Sequence, residues 1–107
     1  MKINIFYKNI TADKPLELFI EEKIGGLEKY LNGSADARVE IGLPSKHHRS
    51  GPVFYAEVNI KMGGRLLRAE AQNKDLRTAV LDVKEELQRQ IKDFKEKSND
   101  LSRKSTK

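Results

Sequence analysis

Residues 75–97 read DLRTAVLDVKEELQRQIKDFKEK, and their periodicity organises the rest of the chain. Leu76, Ala79, Val80, Val83, Leu87, Ile91 and Phe94 recur at spacings of three and four. At about 100° per residue these positions fall on one side of a helix, the kind of apolar stripe that packs on a sheet. The flanks of the stripe differ in charge. One carries Lys74, Arg77, Leu81, Lys84, Gln88, Lys92 and Lys95 without an acid; the other carries Asp82, Glu86, Asp93 and Glu96, with Arg89 as its base. Charge that serves solubility alone is commonly mixed along each flank. Here it is sorted by sign, which marks one flank as a surface for an anionic partner.

Working back from this helix, Asn73 or Asp75 is placed to cap it. Before it, Leu67, Ala69 and Ala71 alternate with Arg68 and Glu70, and Phe54, Ala56, Val58, Ile60 and Met62 alternate with Tyr55, Glu57, Asn59 and Lys61. Alternation of this kind predicts strands with one buried face, joined here by a two-residue hairpin at Gly63-Gly64. The polar, basic segment 44–51, PSKHHRSG, reads as a loop, and Ala37, Val39, Ile41 and Leu43 alternate with Asp36, Arg38 and Glu40 in a further strand. MKINIFYK at residues 1–8 alternates likewise. Between these strands Asp13 and Pro15 open a first helix that runs to about Leu31 and stops at Asn32-Gly33. Gly25-Gly26 lies inside it, each glycine costing about 1 kcal/mol relative to alanine. Close approach of the second helix or of a partner would explain the pair; a weak spot in the helix would explain it equally well.

The expected order is β-α-β-β-β-α, an α+β fold. The first helix makes strands one and two parallel through a right-handed crossover, and the next three strands form an antiparallel meander. Both helices should cover one face of a four-stranded sheet and leave the other open. Residues 1–97 form one domain in this reading, and residues 98–107, which lack periodicity, a flexible basic tail.

A chain of 107 residues suits one compact domain and not two. It has no cysteine, hence no disulfide framework or thiol chemistry, which fits a cytoplasmic protein. The opening residues lack an apolar signal core, and nothing approaches the roughly 18 consecutive apolar residues of a membrane span. The net charge of +5 is uneven: residues 1–43 hold 6 Lys+Arg against 7 Asp+Glu, and residues 44–107 hold 15 against 9. That asymmetry points to nucleic acid before a membrane surface.

Catalytic constellations are thin. His47-His48 have neither cysteine nor a third histidine beside them, so they are not read as a metal site. Ser45 and Ser50 have no orienting acid, and Glu21-Glu22 and Glu85-Glu86 are neighbours that point about 100° apart on a helix. No enzyme, cofactor or small-molecule substrate is expected. The basic helix flank, with loop residues Lys46 and Arg49 and hairpin residues Lys61, Arg65 and Arg68, is suited to following a phosphate backbone. Glu40, Glu57 and Glu70 on the open sheet face argue against a base-stacking platform there, which leaves recognition of folded RNA by shape and charge.

Several stretches together, in order and spacing, resemble a known family. They are INI near the start, NIT before the first helix, EEKIGGLEKY closing it, GGRLLRAEA at the hairpin and LQRQIKDFK in the second helix. Over residues 2–97 the chain resembles the short ribosome hibernation promoting factors, including ribosome-associated inhibitor A, a group also linked by an older name to sigma-factor modulation. The resemblance implies a fold similar to double-stranded-RNA-binding domains. It also implies a factor that binds the small ribosomal subunit and its rRNA and occludes the mRNA and tRNA sites during starvation or stationary phase; nothing in the sequence demands self-association, and the free chain is expected to be monomeric. Long members add a dimerising domain, and this chain resembles the short type. By position, Lys23, Arg89 and Lys95 match basic RNA-facing places of the family, whereas Gly26, Glu86 and Asp93 stand where lysine is common. The expected RNA-binding set is Lys23, Arg49, Arg68, Arg77, Lys84, Arg89, Lys92 and Lys95. Two other readings are a protein-interaction module acting on a transcription regulator and a general double-stranded-RNA binder.

Overall fold

A computed structural model describes residues 1–31, 33–44 and 53–105. The elements are β1 (Lys2–Lys8), α1 (Lys14–Gly25) with a 3₁₀ turn over Gly26–Tyr30, β2 (Ala35–Gly42), β3 (Phe54–Met62), β4 (Arg65–Asn73) and α2 (Leu76–Ser105). The sheet order is β1-β2-β3-β4; β1 pairs with β2 in parallel, and the other two pairs are antiparallel. This is the expected α+β fold.

One core joins the layers. Ala37, Val39 and Ile41 of β2, Ala56, Val58 and Ile60 of β3, and Leu67 and Ala69 of β4 meet Ile20, Ile24 and Leu27 from the first helical segment and Val80, Val83, Leu87 and Ile91 from α2. Both helical segments therefore cover the same sheet face, with α2 packed mainly on β4 and β3.

The helix ends differ from the sequence expectation in three ways. The first helix is not continuous to Leu31: α winding gives way to the 3₁₀ turn at Gly26. Both glycines keep right-handed helical backbone angles. A Cβ on Gly25 would meet Ile3 Cδ1 at an ordinary 3.6 Å, and one on Gly26 would meet nothing within 4 Å. The pair is thus a weak spot in the helix, not a point of close approach within the chain. Asp13 is the cap residue of α1, yet its side chain makes no cap hydrogen bond; the Glu17 N–H donates to the Asp13 carbonyl at 2.9 Å.

At α2, Asp75 does cap. It accepts the Arg77 N–H at 3.1 Å and the Thr78 hydroxyl at 3.0 Å, while Asn73 Oδ1 accepts the Asp75 N–H at 2.9 Å. The backbone of α2 stays helical to Ser105, well into the segment expected to be an aperiodic tail. Burial periodicity reports packing, not helix propensity, and no glycine or proline after Gly64 interrupts the winding.

The parallel pair is fixed at its end by a close approach. Gly42 lies opposite Lys8 in register with φ +152°, and a Cβ there would sit 1.9 Å from the Lys8 carbonyl oxygen. That same oxygen accepts the Leu43 N–H at 3.0 Å, and Asn9 Nδ2 donates to the Leu43 carbonyl at 2.8 Å.

On the open face, Phe6, Glu40, Glu57 and Glu70 share one row across the four strands. Tyr55, expected to point outward, is on this face but buried. Its hydroxyl donates to Glu40 at 2.7 Å. Burial, and then this hydrogen bond, push the hydroxyl well above its ordinary pKa and keep it a donor.

Gly42→Ala should destabilise the domain by about 2–3 kcal/mol, because the methyl group and the Lys8 carbonyl cannot occupy the same space. A urea midpoint within experimental error of the parent would contradict this account of the β1–β2 junction.

Candidate nucleic-acid interface

The apolar stripe of α2 is seated on the sheet, so its basic flank has a fixed direction. It faces the first helical segment. Lys84 lines an open cleft with Glu22, Lys23, Gly26, Lys29 and Tyr30, of about 190 Å³. Further along α2, Lys92 and Lys95 line a second cleft of about 210 Å³ with Tyr30, Gln88, Ile91 and Glu96. At the other end Phe19 lies between two cations, Lys23 Nζ at 5.8 Å and Arg77 at 5.6 Å from its ring centre, within cation–π range. The seam between the helical segments is therefore lined by lysines from both sides and by Arg77 from α2. From Arg77 to Lys95 it runs for ~27 Å along the helix axis.

These cations are available. Among the described residues, Arg77, Lys84, Lys92, Lys95 and Lys29 make no ion pair with a carboxylate. Among the described residues, Lys23 pairs with one carboxylate, Glu22, at 3.9 Å, and a solvent-accessible pair of that length holds a lysine weakly. Of the expected set, Lys23, Arg77, Lys84, Lys92 and Lys95 are brought together.

Arg68 and Arg89 are not with them. Arg68 projects from the open sheet face and lies 3.4 Å from Glu57 and 3.6 Å from Glu70. Arg89 is on the acidic flank of α2, paired with Glu86, in a patch shared with Asp82 and Glu85. Glu86 also accepts from Gln90 Nε2 at 3.2 Å, which in turn donates to the Arg68 carbonyl of β4 at 2.8 Å. Glu86 thus belongs to a local network that holds α2 to the sheet edge. Arg49, with Lys46, His47 and His48, lies outside the described residues. Among those that are described, no group of three His, Cys, Asp or Glu side chains is placed to hold a metal ion.

Two seam residues, Lys29 and Tyr30, were absent from the expected set. Tyr30 lines both clefts, its hydroxyl accepts from Gln88 Nε2 at 3.3 Å, and Lys29 Nζ lies 5.1 Å from its ring centre. A continuous α-helix would phase both residues differently. The change to 3₁₀ winding after the glycine pair sets their direction, and that pair was the available signal.

The domain is of the α+β class, with a four-stranded mixed sheet and a cationic seam between two helical segments. More particularly, the chain belongs to the family described as Sigma 54 modulation protein / S30EA ribosomal protein, whose model matches residues 3–99. It is 36% identical over 99 residues to a ribosome hibernation promotion factor of Bacillus subtilis, covering 92% of this chain and 51% of that protein. A Staphylococcus aureus protein of the same name is 30% identical, with 96% and 53% covered. The chain thus spans about half the length of these curated relatives. Among solved structures it is similar to the N-terminal domain of Thermus thermophilus Protein Y, with a TM-score of 0.76 and 26% identity over 88% of this chain and 99% of that one. A ribosomal subunit interface protein of Coxiella burnetii shares the fold, with a TM-score of 0.71 at 17% identity over 89% and 98%. The family is one of ribosome-associated factors, not a known class of enzymes. No helix among the described residues is long and apolar enough to cross a membrane.

Because Gly26 is open to the cleft and helical in backbone, Gly26→Lys should fit without strain. It should raise stability by about 0.5–1 kcal/mol through lower unfolded-state entropy. A lower thermal midpoint for this variant would show the position to be more crowded than the geometry indicates.

Proposed function

We propose that this chain is a ribosome hibernation factor domain. It binds the small ribosomal subunit through rRNA phosphates seated along the helical seam, and its bulk occludes the mRNA and tRNA sites so that translation stops under starvation or in stationary phase. The observation that carries this reading is the run of Arg77, Lys84, Lys92 and Lys95, unpaired among the described residues and pointing at the first helical segment. Family membership and the names of the relatives support the same reading. Occlusion requires a rigid body held in place and no bond-making, so cationic side chains on a fixed frame are sufficient. The setting is the cytoplasm, and a single copy supplies the whole seam.

The open sheet face is a poorer candidate for a polyanion. Arg68 there is held by Glu57 and Glu70, and the carboxylates form a row. Recognition of a transcription regulator would use that face or a sheet edge and would survive ribonuclease.

The 107-residue chain should co-sediment with ribosomes at low salt and be released at high salt. Four seated phosphates give a slope of about −3 in log affinity against log salt. Lys92→Glu with Lys95→Glu should weaken binding at least tenfold, whereas Arg68→Glu should change it less than about twofold, since that cation is already paired. Sedimentation insensitive to the α2 double change, or capture of a protein partner that persists after ribonuclease, would overturn the reading.

A further inference from the structure

The cationic seam has an aromatic side chain at its middle, and this gives it more than charge. Tyr30 is half-buried and borders three adjoining clefts. Toward Lys84 and Lys29 the lining is polar. Toward Lys92 and Lys95 the wall is Ile91 with the lysine stems, and Gln88 and Glu96 stand at the rim. Round the ring lies a third cleft of about 260 Å³, floored by Met62, Leu67, Ile91 and Phe94. An apolar slot edged by unpaired ammonium groups does not suit an aliphatic peptide, which brings no negative charge to Lys84, Lys92 and Lys95. It suits a flat heterocycle carried on phosphates.

We infer that the Tyr30 cleft receives an unpaired nucleobase of RNA. The base packs against the Tyr30 ring and Ile91, and the phosphates on either side of it lie on Lys84 with Lys29 and on Lys92 with Lys95. Lys84 and Lys92 are ~12 Å apart along the axis of α2, on either side of Tyr30, which lines both of their clefts. Aromatic stacking is tolerant of sequence because every base has a π-face. Gln88, whose Nε2 only weakly engages the Tyr30 hydroxyl at 3.3 Å, and Glu96 supply an amide and a carboxylate for a base edge. In a duplex the bases are stacked within the helix and cannot enter such a slot, so the seam selects unpaired or extruded nucleotides over a regular double helix. This rests on the proposed reading of the seam as an RNA-binding surface and specifies the form of RNA it takes.

The test is equilibrium binding of the 107-residue chain to an unstructured RNA oligonucleotide, to a duplex of equal length, and to the same single strand with abasic sites, at matched salt. The single strand should bind at least tenfold more tightly than either competitor. Tyr30→Ala should lose about tenfold on the single strand and nothing further on the abasic one. Tyr30→Phe should stay within about twofold, and the salt slope of Tyr30→Ala should match the parent because its phosphate contacts remain. Equal affinity for the duplex or the abasic strand, measured on the unaltered protein, would overturn the inference even if Tyr30→Ala failed to fold. So would a Tyr30→Ala protein that keeps its fold by circular dichroism and binds like the parent. Ribosome co-sedimentation run in parallel separates the two readings: sedimentation without base dependence removes the Tyr30 slot alone, and base-dependent oligonucleotide binding without sedimentation removes the ribosomal reading alone.

Discussion

The rotation of α2 about its own axis is the constraint on which the rest of the molecule depends. Val80, Val83, Leu87 and Ile91 are each no more than 2% exposed, and burying side chains of this size contributes about 1.5–3 kcal/mol apiece. Turning the helix by one residue would lift these groups into water and press Lys84, Lys92 or their acidic counterparts on the other flank into the sheet. An unpaired charge taken out of water costs several kcal/mol. The two penalties act together, so the apolar contact that stabilises the fold also fixes which flank meets the first helical segment. Asp75 fixes where the winding begins, and hence the phase of every side chain after it. The basic seam follows from core packing and needs no attraction between the lysines and anything else in the chain.

The first helical segment completes the seam because it is not one helix. Ile20 and Ile24 in α1 and Leu27 in the 3₁₀ turn are all buried, so both windings keep an apolar side on the sheet. The turn carries Lys29 and Tyr30 toward α2, where Tyr30 meets Gln88. Gly26 leaves space beside them. A lysine there would add a cation to the cleft. Its absence leaves an opening bordered by charge, which is a different kind of surface from a filled basic face.

Much of this was legible in the sequence because alternation and 3.6-residue periodicity report which side chains are buried. The four strands, their order, the single-sided helix layer and the sorting of charge on α2 all follow from such patterns, and Arg77, Lys84, Lys92 and Lys95 were readable as one row. What was not legible depends on interactions across the chain. Nothing local distinguishes Arg68, held by Glu57 and Glu70 from two strands, from a free cation. Arg89 is paired within α2 by Glu86, a contact that sequence spacing allows but does not decide. Tyr30 is 58 residues from Gln88, and its direction depends on a change of winding that two glycines permit without dictating. The continuation of α2 to Ser105 was not legible because the sequence after residue 97 has no apolar periodicity.

Glu86 and Asp93 put acids on one flank of a helix whose other flank is basic. This does not cancel its basic character, and the reason is one of distance. A helix with its side chains is about 10–12 Å across, while charges exposed to a solution of physiological ionic strength are screened over about 8 Å. Asp82 and Glu86 on the far flank therefore reach the seam only through screening solvent, and Glu86 is further neutralised by Arg89, whereas Glu96 stands at the rim of the cleft that Lys92 and Lys95 line. Two surfaces of opposite sign can coexist on one rod because the rod is wider than the screening length. Like charge on the acidic flank disfavours an anion there. The basic row is thus confined to the line between the helical segments, where Tyr30 lies.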